Sequence, residues 1–217
     1  TLVPAYVEPA QLAALADRRR RPRVVVFNPD SGPGGHRSAA YAQAVERARG
    51  AGMRVLGYVA TGYGTRPRAD VEADIDRYAR WYGTDGIFLD ETPHAGGLVG
   101  RYRALAARAR EAGQRLVVVN PGMVPARGYF GFADIVVTFE GAAADYRRAL
   151  ASSPSWLDGI APARIAHLVY GASREDALAA VGANAHAGYL YATSGSLPNP
   201  WKTVPDYLDE EEALLER

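Results

Sequence analysis

The sequence predicts a single (β/α)8 barrel with short loops, and three observations lead to this prediction. Short apolar runs rich in Val, Ile and Tyr alternate with longer segments of helical period, eight runs in all. No linker rich in Pro, Gly or Ser divides the chain, so residues 1–217 are expected to form one domain. Stretches rich in Gly and Pro, at 28–35 and 193–200, each follow a predicted strand. An open doubly wound sheet is the alternative, but eight strand–helix units in so compact a chain favour closure into a barrel.

Each predicted strand is one of the apolar runs, and each predicted helix is one of the periodic segments. The strands are expected at 2–7, 23–28, 54–61, 86–91, 115–120, 135–140, 165–170 and 188–193. Helices are expected near 9–20, 36–51, 69–82, 98–112, 142–150, 174–185 and 205–216. Ser173 suits the start of the sixth helix, because Glu175 and Asp176 then place carboxylates in its first turn. The fifth connection, 121–134, has room for one short helix or an irregular loop.

The composition excludes several classes of protein. Lys plus Arg number 25 and Asp plus Glu number 24, a net charge of +1, so no basic excess is available to neutralise nucleic-acid phosphates. The chain has no cysteine, which excludes disulfides and thiolate chemistry. No apolar run reaches the ~20 residues that span a membrane. The four histidines show no paired spacing typical of metal ligands, so we predict neither a metal nor a cofactor.

Two runs of charged residues have simple interpretations. The RRRRPR segment at 18–23 lies between the first helix and the second strand, and we interpret it as a solvated helix end at the face opposite the active site. A patch that binds a polyanion is the alternative. The acidic DEEEALLER segment at 209–217 is interpreted as a solvated helix face.

Polar side chains collect where the predicted strands end, and in parallel α/β folds the chemistry lies at the carboxyl ends of the strands. The strand bodies are almost wholly apolar, so a substrate would meet polar groups at one rim only. The residues at or near these ends are Tyr6, Asn28, Tyr58, Thr61, Asp90, Glu91, Asn120, Glu140 and Tyr170, and the last strand carries Tyr189, Tyr191 and Thr193.

Strand alternation predicts which carboxylates point into the barrel, because successive side chains face opposite sides. In the fourth strand, Ile87 and Leu89 are expected to face the helices, with Phe88 and Asp90 inside and Glu91 at the rim. In the sixth strand, the more apolar set is Ile135, Val137 and Phe139, which is expected to face the helices. The alternate residues Val136, Thr138 and Glu140 are then expected inside the barrel. Asp90 and Glu140 are therefore expected to converge in one mouth, with Glu91 close by.

Two convergent carboxylates beside aromatic and amide side chains are what glycosidic hydrolysis requires. The residues also allow other kinds of site. The GPGG segment at 32–35 lacks a phosphate-loop signature, whereas 171–176 and 194–196 follow the last two strands, where many barrels bind phosphate. Asp90 with Glu91 has the chemistry to hold a divalent ion. His94, just beyond the acidic pair, either touches substrate or is a surface histidine, and His167 is expected to be a satisfied core group.

Several segments in order along the chain resemble the spherulin-4-like family. They are PAYVEP (4–9), FNPDSGPG (27–34), GYVATGYGTR (57–66), WYGTDGIFLDE (81–91), VNPG (119–122), TFE (138–140), GYLYAT (188–193) and NPWKTVPDY (199–207). Several members of this family are glycoside hydrolases of family 135, with related folds in families 114 and 166. The resemblance implies a (β/α)8 barrel and endo-cleavage of α-1,4-linked polymers that contain N-acetylgalactosamine, the exopolysaccharides of biofilms.

The family's acidic motif corresponds to Asp90, Glu91 and Glu140, the same three carboxylates that alternation selects. By analogy, Asp90 is expected to be the nucleophile or an electrostatic partner, Glu140 the general acid/base, and Glu91 a residue that tunes or positions them, with retention preferred over inversion. Positions that recur in the family are expected to line the substrate groove, namely Tyr6, Asn28, Tyr58, Tyr63, Asn120, Tyr189 and Trp201. A monomer outside the cell or at its surface is expected, with a polysaccharide as partner. The alternatives are a non-catalytic carbohydrate-binding protein and a sugar-phosphate barrel enzyme.

Overall fold

Eight parallel strands form one sheet in sequence order in the computed structural model, which describes residues 1–184 and 186–216. The helices alternate with the strands, so the predicted (β/α)8 barrel is confirmed. The strands are β1 (Leu2–Ala5), β2 (Val24–Phe27), β3 (Arg54–Ala60), β4 (Gly86–Asp90), β5 (Leu116–Val119), β6 (Ile135–Ala142), β7 (Ile165–Tyr170) and β8 (Tyr189–Ala192).

Seven α-helices accompany the strands: α1 (Pro9–Ala14), α2 (Ala39–Gly50), α3 (Arg68–Tyr82), α4 (Val99–Glu111), α5 (Ala143–Ala151), α6 (Arg174–Gly182) and α7 (Leu208–Leu215). The fifth connection holds only a short 3-10 helix, Arg127–Gly131, as its sequence allowed. Helix α6 begins as expected, with the Ser173 hydroxyl accepting the Asp176 N–H at 3.1 Å, and its predicted end at 185 lies outside the described residues. No helix within 1–184 or 186–216 combines the length and apolar character needed to cross a bilayer.

The amino-terminal ends of the strands are held by a repeated acid–arginine pair. Asp85, just before β4, accepts the Val55 N–H of the neighbouring strand at 2.9 Å and pairs with Arg49 at the end of α2, also at 2.9 Å. The arrangement recurs two strands later, where Asp134 accepts the Val117 N–H at 2.8 Å and pairs with Arg110 at 3.1 Å. Each carboxylate thus satisfies a strand N–H that has no ladder partner at the sheet end. Its charge is offset by an arginine in the last turn of a helix.

The pleat of β3 and β4 follows the alternation predicted from sequence. Gly57 faces the helices, because a Cβ there would lie 2.3 Å from the Tyr78 ring of α3. Its neighbour across the ladder is Ile87, so Ile87 faces the helices as well, and Phe88, paired with Tyr58, points into the barrel. The same parity sends Asp90 inward, as predicted.

The alternation predicted for β6 is wrong in its first half, because a bulge between Val137 and Phe139 resets the pleat. Ile135 pairs with the inward-facing Val118, and Val136 pairs with the outward-facing Val119, the reverse of the expectation. After the bulge, Phe139 faces α5 and Glu140 faces the barrel, as expected. Thr138, expected inside, lies against the outer layer with His167.

A buried chain of hydrogen bonds stabilises this bulge. His167 Nε2 lies 3.0 Å from Thr138 Oγ1, and His167 Nδ1 lies 2.8 Å from the Tyr146 hydroxyl of α5. Burial lowers the pKa of His167 to about 4, so the ring is neutral at physiological pH, with one nitrogen donating and the other accepting. The interpretation of His167 as a satisfied core group is confirmed.

The seam between β8 and β1 is closed by side chains of α7, since no strand ladder joins these two strands in the described part of the chain. Glu211 Oε1 accepts the Ala192 N–H of β8 at 3.3 Å, and Glu212 accepts the backbone nitrogen of Thr1 at 3.0 Å. Both carboxyl groups are buried, so the interpretation of this acidic segment as a solvated helix face is wrong. The sheet edge needs acceptors for its free N–H groups, and these two residues supply them.

Replacing Glu211 with Gln is expected to reduce the pH dependence of folding stability. Burial raises the pKa of Glu211 from 4.5 to about 9, so the folded protein retains a proton that the unfolded chain loses above pH ~4.5. This contribution to stability is complete below pH ~4.5 and is lost as the pH rises through about 9. In thermal melts between pH 5 and 9, the wild-type Tm should therefore fall more steeply than that of Glu211→Gln, by roughly 5 °C or more. The control is Glu210→Gln, an exposed neighbour paired with Arg174. Parallel Tm curves for wild type and Glu211→Gln would contradict a protonated Glu211.

Candidate active site

One asparagine joins two carboxylates at the carboxyl-terminal mouth of the barrel. Asn120 follows β5, and its Nδ2 donates to Asp90 Oδ1 at 2.7 Å and also to Glu140 Oε2. Asp90 ends β4 and Glu140 lies in β6, so the strand between them carries the bridging amide. The structure thus brings together Asp90, Glu140 and Asn120, all three of which were candidates from sequence.

The orientation of the bridging amide is determined by its other end. Asn120 Oδ1 accepts the Gly122 N–H at 3.0 Å, so the amide nitrogen must face the two carboxylates. Gly122 also accepts the Glu140 N–H at 2.9 Å through its carbonyl oxygen. The loop after β5 therefore positions both the amide and the backbone of Glu140.

The two carboxyl groups differ in their surroundings. Burial raises the pKa of Asp90, but the Glu91 backbone N–H, the Tyr58 hydroxyl and the Asn120 amide all act to lower it by stabilising the anion. Burial and the charge of Asp90 together raise the pKa of Glu140, which receives hydrogen bonds from Asn120 and the Trp201 indole N–H. With three donors, Asp90 is the better site for the negative charge, and Glu140 is the better site for a shared proton.

Glu91 does not join this pair. Its backbone has a φ of +53°, and its Oε2 accepts the Gly62 N–H at 2.9 Å in the loop that follows β3. Its carbonyl oxygen accepts the Tyr63 N–H at 2.8 Å. Thr61 Oγ1 lies 2.7 Å from the Asp90 carbonyl oxygen and 2.9 Å from that of Glu91. Glu91 therefore holds a loop at the rim, and its left-handed backbone marks local strain at this site.

Aromatic side chains surround the carboxylates. Tyr6 and Tyr58 pack edge to face with ring centroids 5.3 Å apart. Burial, together with the charges of Asp90 and Glu140, keeps the pKa of both phenols well above its usual range, so their hydroxyls remain donors. Trp201 is buried against the edge of Tyr170, with centroids 6.3 Å apart, and its carbonyl oxygen accepts the Tyr6 N–H at 3.0 Å.

Three further candidates lie at the same mouth but outside the core of the site. Asn28 follows β2 and uses its Oδ1 to accept the Gly32 N–H at 2.8 Å, so its carbonyl stabilises a turn. Tyr63 stands on the loop that Glu91 holds and is largely exposed. His94 is exposed and lines a cleft of about 500 Å3 that extends to Trp156.

The structure separates Tyr189 from the site, so its assignment to the substrate groove is wrong. Tyr189 is the first residue of β8 and lines a cavity at the amino-terminal mouth, together with Arg54 and Leu116. A strand of four residues spans roughly 13 Å, which puts its first residue at the opposite end of the barrel from its last. The strand predicted at 188–193 already has Tyr189 near its start, and its assignment to the groove came from the family resemblance alone.

Exposed apolar side chains form a rim around this mouth, and of its four members only Tyr63 was predicted from the sequence. Each of its members lies on a loop after β3, β4, β5 or β8, at the mouth that holds the carboxylates. Exposure depends on which neighbours cover a loop residue, so no sequence signal identifies it. Tyr170, at the end of β7, packs against Trp201 and is not among the residues predicted to line the groove. The exposed fractions of the rim are 64% for Tyr63, 37% for Leu98, 52% for Met123 and 66% for Leu197.

The alternative sites find less support. No cluster of three or more His, Cys, Asp or Glu side chains suitable for a metal occurs within 1–184 and 186–216, and Glu91 turns away from Asp90. After β7 and β8, several of the loop N–H groups already have acceptors within the protein. Gly171 donates to Gly195 O at 2.7 Å, and Ala172 donates to Thr193 O at 3.0 Å. These N–H groups are therefore not available to a phosphate, and Glu175 and Asp176 place two carboxylates in the first turn of α6, where they would repel an anion.

Comparisons with known proteins identify the family of this chain and support its fold. Residues 1–214 match the family described as spherulation-specific family 4. Spherulin-4 of Physarum polycephalum is 30% identical over 229 residues, covering 99% of this chain and 69% of that protein. Sph3 of Aspergillus clavatus, solved in complex with GalNAc, superposes with a TM-score of 0.83 at 23% identity, over 99% of this chain and 95% of that one. A GH18 chitinase from Pseudoalteromonas aurantia superposes with a TM-score of 0.55 at 11% identity, over 99% and 98% of the two chains. These two likenesses support the barrel fold.

Replacing Asp90 with Asn is expected to lower the pKa of Glu140, because the charge of Asp90 contributes to raising it. The titration of the Glu140 carboxyl carbon, followed by NMR, measures the shift. Glu91→Gln is the matched control, since the Glu91 carboxylate faces Gly62 and not Glu140. An unchanged Glu140 titration in Asp90→Asn would contradict coupling between the two acids.

Proposed function

The chain belongs to the spherulation-specific family 4, and from this membership and the geometry of the site we propose that it is a glycoside hydrolase. The observation that carries the proposal is the Asn120 amide nitrogen that hydrogen-bonds both Asp90 and Glu140 at the barrel mouth. Glycosidic hydrolysis needs two such carboxyl groups, one ionised and the other protonated.

In the proposed mechanism, Asp90 is the nucleophile and Glu140 the general acid/base. Asp90 attacks the anomeric carbon while Glu140 donates its proton to the departing glycosidic oxygen. Glu140, now ionised, then removes a proton from the water that releases the sugar from Asp90. Asn120 holds the two groups at a fixed spacing, and Glu91 acts through the loop that carries Tyr63 as a positioning residue.

The proposed stereochemical outcome is retention. Both bonded carboxylate oxygens lie within hydrogen-bonding distance of one nitrogen, so they are no more than about 6 Å apart. Retaining enzymes hold their carboxyl groups at ~5–5.5 Å, whereas inverting enzymes need ~6.5–9.5 Å to admit a water molecule. The shared amide therefore favours direct attack by Asp90.

The proposed substrate is an exopolysaccharide of α-1,4-linked N-acetylgalactosamine and galactosamine, cut within the chain. Sph3, whose structure contains GalNAc, is similar to this chain over nearly all its length. The apolar rim extends over four loops, so it offers contacts to several sugar rings rather than to one. Such a polymer lies in the matrix outside cells, so we place the protein there or at the cell surface. From this substrate and location, the proposed biological role of the protein is to hydrolyse a polymer of a biofilm matrix.

Glu140→Gln is expected to abolish turnover while the protein stays folded. A positioned general acid contributes about 10²- to 10⁴-fold, and the amide lacks a transferable proton. Mass spectrometry of products from partly deacetylated α-1,4-galactosaminogalactan measures the loss. Glu175→Gln, an exposed acid in the first turn of α6, is the control and should cleave at the wild-type rate.

Two outcomes would overturn parts of this proposal. Cleavage by Glu140→Gln at the control rate would remove Glu140 from the chemistry. No cleavage by the wild type, with the polymer still bound, would replace the hydrolase by a carbohydrate-binding protein for this glycan. A sugar-phosphate enzyme would instead be inhibited by inorganic phosphate.

The pH profile of hydrolysis is expected to fall on its alkaline side near pH 7. Burial and the charge of Asp90 raise the pKa of Glu140 to about 7, so the acid loses its proton as the pH rises through that value. On the acidic side, activity should fall as Asp90 takes up a proton. The dependence of kcat/KM on pH measures both limbs, and a rate that is constant from pH 6 to 9 would contradict Glu140 as the acid.

A further inference from the structure

The amino-terminal mouth of the barrel contains a second cavity, at the end opposite the carboxylate pair. It has a volume of about 700 Å3, within the range of small-molecule sites. Its wall is formed by the first residues of β3, β5, β6 and β8 and by residues that precede β4, β5, β6 and β7. Tyr189 contributes a partly exposed ring to this wall.

The charges in this wall do not balance. Asp85 is already paired with Arg49, and Asp134 is already paired with Arg110. Arg54 and Arg115 also face the cavity region, and neither forms an ion pair with any carboxylate in 1–184 or 186–216. Two guanidinium charges are therefore left uncompensated around one cavity.

These two arginines have no role in offsetting helix dipoles. Arg49 and Arg110 lie in the last turns of α2 and α4, where a positive charge is favourable. Arg54 instead begins β3 and Arg115 immediately precedes β5. Stabilisation of a helix dipole explains Arg49 and Arg110, but it does not explain Arg54 and Arg115.

The backbone fixes the spacing of the two arginines. Arg54 and Arg115 stand on the two strands that flank β4, and Asp85 N donates to Val55 O at 2.8 Å while Arg115 N donates to Asp85 O at 2.9 Å. Strands two apart in a sheet are separated by about 10 Å. Two arginine side chains reach across such a gap and converge on one tetrahedral anion, which guanidinium groups bind with paired N–H donors.

We propose that this amino-terminal cavity binds a phosphate group, with Arg54 and Arg115 as its ligands. The volume leaves room for a molecule of monosaccharide size attached to the phosphate, and the Tyr189 ring lies where it would contact that molecule. The site is independent of the proposed hydrolysis, because it opens at the other end of the barrel. It also differs in position from the loops at 171–176 and 194–196, which follow β7 and β8 at the opposite end of the barrel.

The test is an NMR titration of the full chain at constant ionic strength, with inorganic phosphate, glucose 6-phosphate and glucose as probes. The wild type should show saturable shifts of the Arg54, Arg115 and Tyr189 amides with both phosphates and none with glucose. The Arg54→Gln/Arg115→Gln variant should bind about tenfold more weakly or worse. The control is Arg19→Gln/Arg103→Gln, which removes two exposed arginines outside the cavity and should bind within twofold of the wild type.

The two phosphates distinguish the source of the ligand. Tighter binding of glucose 6-phosphate would identify a phosphorylated sugar, and tighter binding of inorganic phosphate would identify a free anion. Single variants Arg54→Gln and Arg115→Gln, each checked by circular dichroism, separate loss of binding from loss of folding. Absence of saturable shifts, or equal binding by the double variant and its control, would overturn the proposal.

Discussion

The direction of every side chain in the barrel depends on the pleat of its strands, and one bulge in β6 resets that pleat directly before Glu140. Without the extra residue, Glu140 would follow the parity of Val136 and face the helices. The bulge turns Thr138 outward, where its hydroxyl forms a hydrogen bond with His167. His167 in turn forms a buried hydrogen bond with Tyr146. A polar network in the outer layer thus determines where a carboxylate points in the inner one.

The carboxylate pair illustrates how burial and proximity divide one proton between two acids. Within residues 1–184 and 186–216, neither Asp90 nor Glu140 forms an ion pair with an arginine or a lysine, and the neutral Asn120 amide is the group that they share. A cation at that position would stabilise both anions and leave no proton to donate. A neutral donor holds the spacing while desolvation and mutual repulsion keep one acid protonated. The proposed chemistry depends on this choice of residue as much as on the two acids.

The two mouths of the barrel use their charged groups differently. At the amino-terminal mouth, Asp85 and Asp134 each satisfy a strand N–H and an arginine, which ties helix ends to strand starts. At the seam, the buried carboxyl groups of α7 serve the free edges of β1 and β8. Arg54 and Arg115 remain outside these structural pairs. At both ends of the molecule, charged groups that are paired within the fold can therefore be distinguished from charged groups that are available to a ligand.

The periodic elements and the polar residues at their ends can be identified from local sequence pattern alone. Eight apolar runs separated by helical segments specify a parallel barrel, and a barrel brings strand-terminal Asp90, Asn120 and Glu140 to one mouth whatever the details of packing. Local pattern does not predict the bulge in β6, the turn of Glu91 towards Gly62 or the burial of Glu211, which follow from packing. Each of these depends on a contact between residues distant in the chain: a histidine two elements away, a loop amide across a strand, an open sheet edge. The hydrophobic pattern of the sequence indicates which side of a helix or strand is apolar. The hydrogen-bond partner of a polar group is determined only when the elements pack together.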